Sequence, residues 1–343
     1  MDIGRLSDNG GDVTVSVVMC TYNGAKYLPE QLDSILAQTC HADEIIVQDD
    51  LSTDGTMAVL HEYARKDPRI KVFSTEESRG INHNFITAIE KAQGDLIAWS
   101  DQDDIWAEDK IEKLKAALQQ NDAWISFHIT RPFAGERPPQ DDNYDHRVPN
   151  FGLEREVFLG TVSGHTMMFR RSLHQDFMKR FPASEIERIG ESFYYDTILS
   201  IVGNAYGKNF LVMEPLDFHR RLDSSVSGGK DSAKFERSAG NAIRQVFRNL
   251  NPSRRRAIRP FVKRRMDNME RILDRYPDAS QTDGVRSIIR AYRSPARLVQ
   301  FPHALVRQRD KIFYSKEKND MVARLRAVVF AITYQDYFEI CLK

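Results

Sequence analysis

An α/β fold with a Rossmann-like, mainly parallel central sheet flanked by helices is the architecture this sequence predicts, and three observations carry it. Short apolar runs alternate with amphipathic stretches of about a dozen residues, the pattern of βαβ units. The runs are continuous rather than alternating, as in strands covered on both faces. Three of them end in polar clusters, Thr21 to Gly24, Asp49 to Thr56 and Asp101 to Asp104, at the carboxyl ends of strands, where open α/β sheets bind ligands.

Val13 to Met19 is the first expected strand, ended by the turn residues Thr21-Tyr22-Asn23-Gly24. Leu28, Leu32, Ile35 and Leu36 recur at helical spacing, with Pro29 tolerated in the first turn. Glu44 to Gln48 reads as a second strand, and Met57, Leu60 and Ala64 begin a second helical stripe. Ile70 to Phe73 is a third strand, Phe85, Ala88, Ile89 and Ala92 mark a third helix, and Leu96 to Trp99 is a fourth strand. Ile111, Leu114 and Leu118 stripe a helix beginning near Glu108, followed by a fifth strand from Ala123 to Ile129. Residues 131–150 contain four prolines and predict a long surface loop over the site. Met167 to Phe169 then reads as a strand, Phe193 to Val202 as a helix and Phe210 to Met213 as a strand, while Ser224 to Gly229 reads as a hinge or mobile loop. From about residue 234 the sequence turns helical and basic, with Arg254-Arg255-Arg256 and Lys263-Arg264-Arg265, and there is no internal repeat.

The 343 residues, 41% hydrophobic and 29% charged, suit a globular protein with a sizeable core and an appendage. No run approaches the ~20 apolar residues that cross a bilayer, and Ala327 to Ile332 is far too short. The first twelve residues carry acids and glycines where a secretory leader needs an apolar stretch, so the cytoplasm is the expected location. Cys20, Cys40 and Cys341 are too few and too scattered for a disulfide framework or a thiolate metal site. The formal net charge of zero hides a division: residues 1–229 carry 23 Lys and Arg against 37 Asp and Glu, and residues 230–343 carry 26 against 12. We therefore divide the chain into an acidic α/β domain, 1–229, with halves at about 13–115 and 116–229, and a helical basic extension, 230–343. The extension either rests on anionic lipid, at about 1 kcal/mol per well-placed Lys or Arg, or packs on the acidic domain. The lipid surface is the expectation, which makes the protein peripheral at the inner face of the plasma membrane. No nucleic-acid reading motif accompanies the charge, and no nucleic-acid partner is expected.

Four carboxylates, Asp95, Asp101, Asp103 and Asp104, fall within ten residues, and three of them follow the fourth strand directly. Like charges so close repel unless a cation sits among them, and hard divalent ions that also ligate phosphate suit such oxygen clusters. The plain alternative is a solvated acidic turn.

Three segments, Val15-Ser-Val-Val-Met-Cys-Thr-Tyr-Asn, Ile46-Val-Gln-Asp-Asp-Leu-Ser-Thr-Asp-Gly-Thr and Gly94-Asp-Leu-Ile-Ala-Trp-Ser-Asp-Gln-Asp-Asp-Ile-Trp, resemble in order and spacing the family 2 glycosyltransferases of GT-A fold. The Asp-Gln-Asp-Asp-Ile-Trp form is similar to the bacterial rhamnosyltransferase-like branch that builds surface polysaccharides. The resemblance is strong over roughly residues 13–115 and weaker to about 228. It implies an inverting, metal-dependent transfer from a nucleoside-diphosphate sugar (a dTDP- or UDP-sugar, dTDP-rhamnose among them) to a hydroxyl of a lipid-linked glycan acceptor.

It also implies residue roles. Thr21, Tyr22 and Asn23 would line the base pocket, Tyr22 against a flat pyrimidine, and Asp50 would accept from the base N–H. Asp101, with Gln102 beside it, would bind the ribose hydroxyls, and Asp103 would hold Mg²⁺ or Mn²⁺ on the donor phosphates. Asp104 would support that site or cap the next helix, and Trp106 would wall the sugar pocket or lie in the core. Asp196 is the expected catalytic base, Gly164 and His165 lie in the strand beside the acceptor, and Arg220 would pair with phosphate, with Arg221 adding to it. Two positions depart from the family pattern: Leu222 stands where a histidine is usual, and Arg79-Gly80 replaces Asn-x-Gly. Two rivals are weighed: a nucleotidyltransferase, which lacks here the Gly-rich basic loop after the first strand, and a catalytically silent sugar-nucleotide or glycan-binding protein. A dehydrogenase is disfavoured because no Gly-x-Gly-x-x-Gly follows that strand.

Overall fold

The computed structural model describes residues 12–135, Pro138, 152–157, 162–222 and 251–312, with Arg324, Ala327, Val328 and Ala331 near the C-terminus. Its strands are β1 Val15–Thr21, β2 Glu44–Asp49, β3 Ile70–Ser74, β4 Leu96–Ser100, β5 Ile105–Trp106, β6 Ile125–Phe133, β7 Met167–Arg170 and β8 Asn209–Arg220. The helices are α1 Leu28–Leu36, α2 Thr56–Lys66, α3 Ile81–Lys91, α4 Lys110–Gln120, α5 Leu153–Glu156, α6 Arg171–Arg180, α7 Ala183–Gly190, α8 Tyr195–Ala205, α9 Pro252–Asp274, α10 Asp283–Arg293, α11 Arg297–Arg307 and α12 Arg309–Ile312. Among these residues, no helix is long and apolar enough to cross a membrane.

One sheet orders the strands β3-β2-β1-β4-β7-β6-β8-β5. Alternate residues of the central strands feed two cores. Val18, Ile46 and Ile97 face one cluster, and Val17, Met19, Ile45, Val47 and Ala98 the other. This is why the strand sequences are continuously apolar: neither face of the pleat meets water.

The strand directions place the site. β1, β2, β3 and β4 are mutually parallel, with Thr21 level with Asp49 and Met19 with Ser100. β7 runs antiparallel to β4 and to β6, and β6 pairs parallel with β8. The start of β7 and the ends of β6 and β8 therefore reach the same rim as the ends of β1, β2 and β4. The predicted α/β sheet is observed, with a mixed second half.

Several elements differ from expectation. β6 extends to Phe133 and so takes the first residues of the expected surface loop; most of that loop and Ser224 to Gly229 lie outside the described residues. β8 runs well beyond Met213, because Glu214, Pro215, Asp217 and His219 interrupt its apolar pattern while the ladder to β6 continues through register shifts at Ile129. α4 begins at Lys110 rather than near Glu108. β5, α5, α6 and α7 were not expected from apolar periodicity; β5 is only two residues long.

The first helices of the basic extension pack within the molecule. Met266, Met269, Leu273, Tyr276, Ile288 and Phe301 join the same cluster as Phe177, Phe181, Ile198 and Val202. The Arg265 guanidinium donates to the carbonyls of Val157 (2.8 Å), Glu156 (3.1 Å) and Ser192 and lies over the Phe193 ring. For residues 251–312, intramolecular packing is therefore the observed arrangement. Arg254 and Arg255 lie in α9, but their side chains are outside the described residues.

Asn82 of α3 ties the two halves together. Its Nδ2 donates to the Phe193 carbonyl (3.0 Å) and its Oδ1 accepts from the Tyr195 N–H (2.9 Å), at the first turn of α8. Substituting Asn82→Ala leaves both groups unpaired, and a loss of about 1–3 kcal/mol in unfolding free energy is expected in denaturant titrations.

Candidate active site

At the rim, side-chain hydrogen bonds brace the ends of β1, β2 and β4 against one another. Thr21, wholly buried, donates its hydroxyl to Asp49 (2.8 Å), which also accepts from the Ser52 N–H (2.8 Å) and hydroxyl (2.6 Å). Asn23 takes the Thr53 N–H on its Oδ1 (2.8 Å) and gives its own N–H to Ser52 (2.9 Å). Gln102 clamps the Tyr22 backbone, accepting its N–H (2.9 Å) and donating to its carbonyl (3.0 Å). That clamp needs Gly24, where a Cβ would come within 2.2 Å of the Gln102 Oε1. Thr21, Asn23 and Gln102 thus hold the pocket's frame, while the Tyr22 ring stands 58% exposed at its mouth. Asp50 fixes its N–H on the Thr21 carbonyl (2.8 Å), accepts the Ser78 hydroxyl (2.8 Å) and stays partly exposed. The charges of Asp101 and Asp50 reinforce the upward push of burial on the Cys20 thiol.

Asp101 and Asp103 follow β4. Among the described residues, neither carboxylate accepts a hydrogen bond. Burial pushes Asp101 up to about 6, with His165 and His219 opposing the rise and Asp104 and Asp196 adding to it. Burial likewise pushes Asp103 up to about 7, and the Asp104 and Asp101 charges add to that. Two partly buried carboxylates close enough to raise each other's pKa, with no donor committed to either among the described residues, suit a hard divalent cation. Asp95 sits at the opposite end of β4, bound to the Thr14 N–H (3.0 Å) and hydroxyl (2.9 Å), and takes no part.

Asp104 is wholly buried and does not cap α4, so that expectation is corrected. Its Oδ1 accepts from the Arg220 N–H and from His219 Nδ1, both at 3.0 Å, and its Oδ2 lies 3.4 Å from His165 Nδ1. Ligand atoms of Asp104, His165 and His219 lie within 4.8 Å of one another, a set able to hold a metal ion. Behind them, Asp217 of β8 accepts from His165 Nδ1 (2.8 Å), the Thr130 hydroxyl and Lys110 Nζ (3.4 Å). Trp106 packs in the core with Lys110 Nζ 4.1 Å above its ring, not on a sugar pocket. Arg220 differs from its expected phosphate contact. Its buried guanidinium donates to Glu30 (2.5 Å) and to the carbonyls of Asp103 (3.0 Å) and Gly135 (2.7 Å), between the rings of Tyr27 and Phe133. Arg221 is exposed.

Asp196 occupies the first turn of α8. Its Oδ2 accepts the Gly164 N–H (2.8 Å) and its Oδ1 the Thr197 N–H (2.5 Å), and burial raises its pKa despite those bonds. Gly164 admits no side chain, because a Cβ would meet Trp99 Nε1 at 2.7 Å. The rim thereby gathers Asp101, Asp103, Gly164, His165 and Asp196, with Tyr22 and Asp50 following the ends of β1 and β2. Sequence reasoning missed Asp217, Lys110 and the pairing role of His219. The signal available was the alternation of Asp217 and His219 on one face of an extended run.

The Asp101 and Asp103 shifts carry a definite sign. Between the ordinary carboxylate value and about 7, the folded chain holds protons that the unfolded chain has released, so their contribution falls as pH rises through that window. Asp103→Asn is expected to unfold at a higher temperature than the parent near pH 8, with the difference vanishing near pH 4. Scanning fluorimetry across pH, without added metal, measures it.

The sequence model of Glycosyl transferase family 2 matches residues 16–178. TuaG of Bacillus subtilis (strain 168), provisionally named a teichuronic acid biosynthesis glycosyltransferase, is 38% identical over 216 residues, covering 63% of this chain and 82% of TuaG. WfgD of Escherichia coli, a UDP-Glc:alpha-D-GlcNAc-diphosphoundecaprenol beta-1,3-glucosyltransferase by name, is 35% identical over 116 residues, covering 34% of this chain and 44% of WfgD. RfbG of Shigella flexneri, named a dTDP-rhamnosyl transferase, is 38% identical over 110 residues, covering 31% and 38%. For these last two, the match spans less than half of the relative's length. The family match contains the ends of β1, β2 and β4, and TuaG is matched over most of its own length; the chain belongs to the family 2 glycosyltransferases.

Proposed function

We propose that this glycosyltransferase moves a sugar, with inversion, from a pyrimidine nucleoside diphosphate to a hydroxyl of a glycan acceptor in the building of a surface polysaccharide. The observation that carries this reading is the rim where Asp101 and Asp103, without hydrogen-bond donors among the described residues, stand together, with Asp196 near enough to raise Asp101. Tyr22 offers its exposed ring to the base, and Asp50 offers a carboxylate to the base N–H. Asp101 receives the ribose hydroxyls. Asp103, with Asp101 beside it, would hold the divalent cation, Mg²⁺ or Mn²⁺, whose chemistry when bound is to neutralise a diphosphate as it leaves. Asp196 takes the proton of the acceptor hydroxyl. Its raised pKa makes it a stronger base than an exposed carboxylate, and such assistance is typically worth about 10²–10⁴ in rate.

The names of the relatives bear on the substrates. WfgD is named for UDP-glucose and RfbG for a dTDP-sugar, so the shared stretch serves both uracil and thymine nucleotides, and the pyrimidine is the common element. WfgD is named for a diphosphoundecaprenol acceptor, which supports a lipid-linked acceptor. Such an acceptor places the enzyme at the cytoplasmic membrane surface, where the basic excess of residues 230–343 favours anionic lipid.

A panel of UDP- and dTDP-sugars with Mn²⁺ and a lipid-linked acceptor tests the reading. Asp103→Ala is expected to abolish transfer with an unchanged circular dichroism spectrum. Asp196→Asn is expected to bind donor normally and to lose about 10²–10⁴ in turnover. Undiminished transfer after exhaustive chelation, or by Asp196→Asn, would remove the corresponding assignment.

A further inference from the structure

Residues 284–309 hold six arginines, Arg286, Arg290, Arg293, Arg297, Arg307 and Arg309, and no acid. Carboxylates from outside that stretch engage Arg286 (Asp274, 2.9 Å) and Arg293 (Asp267 and Glu270, both 2.6 Å), and Asp310 lies 3.9 Å from Arg309. Among the described residues, no carboxylate is paired with Arg290, Arg297 or Arg307. Arg297 and Arg307 are the first and last residues of α11, and between them the helix is apolar on both sides. Phe301, Ala304 and Leu305 are buried in the core. On the outer side Leu298, Pro302 and Val306 follow one another a turn apart, with Val299 and His303 beside them. Leu298 and Val299 are 77% and 74% exposed, more than any other large hydrophobic side chain among the described residues. A surface helix ordinarily turns polar residues outward, so an aliphatic pair there marks a face that something else covers.

We propose that the outer face of α11 is the surface by which the enzyme docks on an anionic phospholipid bilayer, with Leu298 and Val299 entering the acyl boundary and Arg297 and Arg307 on the headgroup phosphates. This deepens the reading of a lipid-linked acceptor, on which its purpose rests. An apolar ridge bracketed by guanidinium groups is the arrangement of a helix lying in a membrane interface: the aliphatic side chains leave water while the long basic ones reach the phosphates. The charge selects this occupant over two others. A second copy of the chain would bring arginine against arginine across a two-fold axis. A nucleic acid would satisfy the arginines and leave the aliphatic pair uncovered, and the aromatic side chain of α11, Phe301, is buried and offers no base a platform.

Co-sedimentation of the full chain with vesicles of pure phosphatidylcholine, or of an equimolar mixture with phosphatidylglycerol, tests the face. The parent is expected to bind the mixed vesicles, less well as salt rises, and to leave the neutral ones alone. The double variant Leu298→Ser, Val299→Ser is expected to lose about tenfold in partition, with its melting temperature and its transfer to a water-soluble acceptor unchanged. Arg297→Gln and Arg307→Gln are each expected to lose about fivefold. Leu298→Trp reads insertion directly. The native Trp99, Trp106 and Trp124 are buried, so a blue shift with mixed vesicles, and quenching by brominated acyl chains, belong to the new ring. Undiminished vesicle binding by the serine double variant, or emission from Leu298→Trp that mixed vesicles leave unmoved, overturns the proposal. So does a dimer in vesicle-free sedimentation that the serine double variant abolishes, since that makes the face a contact between copies. A parent that transfers sugar to a water-soluble acceptor but does not bind mixed vesicles removes the docking face and leaves the transferase. Vesicle binding without transfer to any acceptor removes the transferase reading and leaves the face.

Discussion

Asp104 is a carboxylate that never meets solvent, and the geometry of the rim depends on it. Burying such a charge costs several kcal/mol unless its oxygens are met. Here the Arg220 N–H and the His219 ring meet one oxygen, and His165 approaches the other. Those partners come from β8 and from the turn before β7, so the charge is tolerable only when both segments are drawn against the end of β4. The Arg220 guanidinium then reaches forward to the Asp103 carbonyl, and Glu30 of α1 secures it. Neighbours in sequence thus divide the work: Asp104 anchors the loop, while Asp103 stays partly exposed with no donor on its carboxylate among the described residues.

The acids of this region fall into two electrostatic groups. Asp217, surrounded by Lys110, His128 and His165, is held well below the usual carboxylate range in spite of its burial. Asp101 and Asp103 are pushed up by burial and by the acids around them, and among the described residues no donor offsets the rise. The histidines divide likewise. His128, buried beside Lys110, is driven down to about 3 and stays neutral, while His165, one carboxylate further along, keeps its proton. A paired, satisfied charge holds the scaffold rigid, and an unsatisfied one marks where a ligand is to bring the missing partner.

The basic extension shows why charge counts do not assign surfaces. Arg265 is consumed by three carbonyls, Arg293 by Asp267 and Glu270, and Arg275 by Glu185. The positive excess over residues 251–312 is therefore partly neutralised within the molecule before any external surface is met. Only the remainder is available to anionic lipid.

Much of the first half of the sheet was legible in the sequence. Continuous apolar runs fix β1, β2 and β4, because a strand buried on both faces has no other composition available, and the turn residues after them fix where the polar ends emerge. Asp101 and Asp103 could be picked out by their clustering after a strand end, whereas Asp50 and Asp196 are named only through the resemblance to the family. The roles of Arg220, Gln102 and Trp106 could not be read in either way. A guanidinium looks the same in sequence whether it awaits a phosphate or is spent on Glu30, and a Trp after a strand end points outward or inward according to what lies behind it. Asp217, Lys110 and His219 are separated along the chain by up to 109 residues, and only the reversal of direction at β7 brings their elements to one rim. What the sequence determined by itself is thus the parallel strands β1 to β4 and the chemistry at their ends. Which of those charges are paired, and which are left for a ligand, was decided by the tertiary structure, because pairing depends on distances between segments that no local pattern encodes.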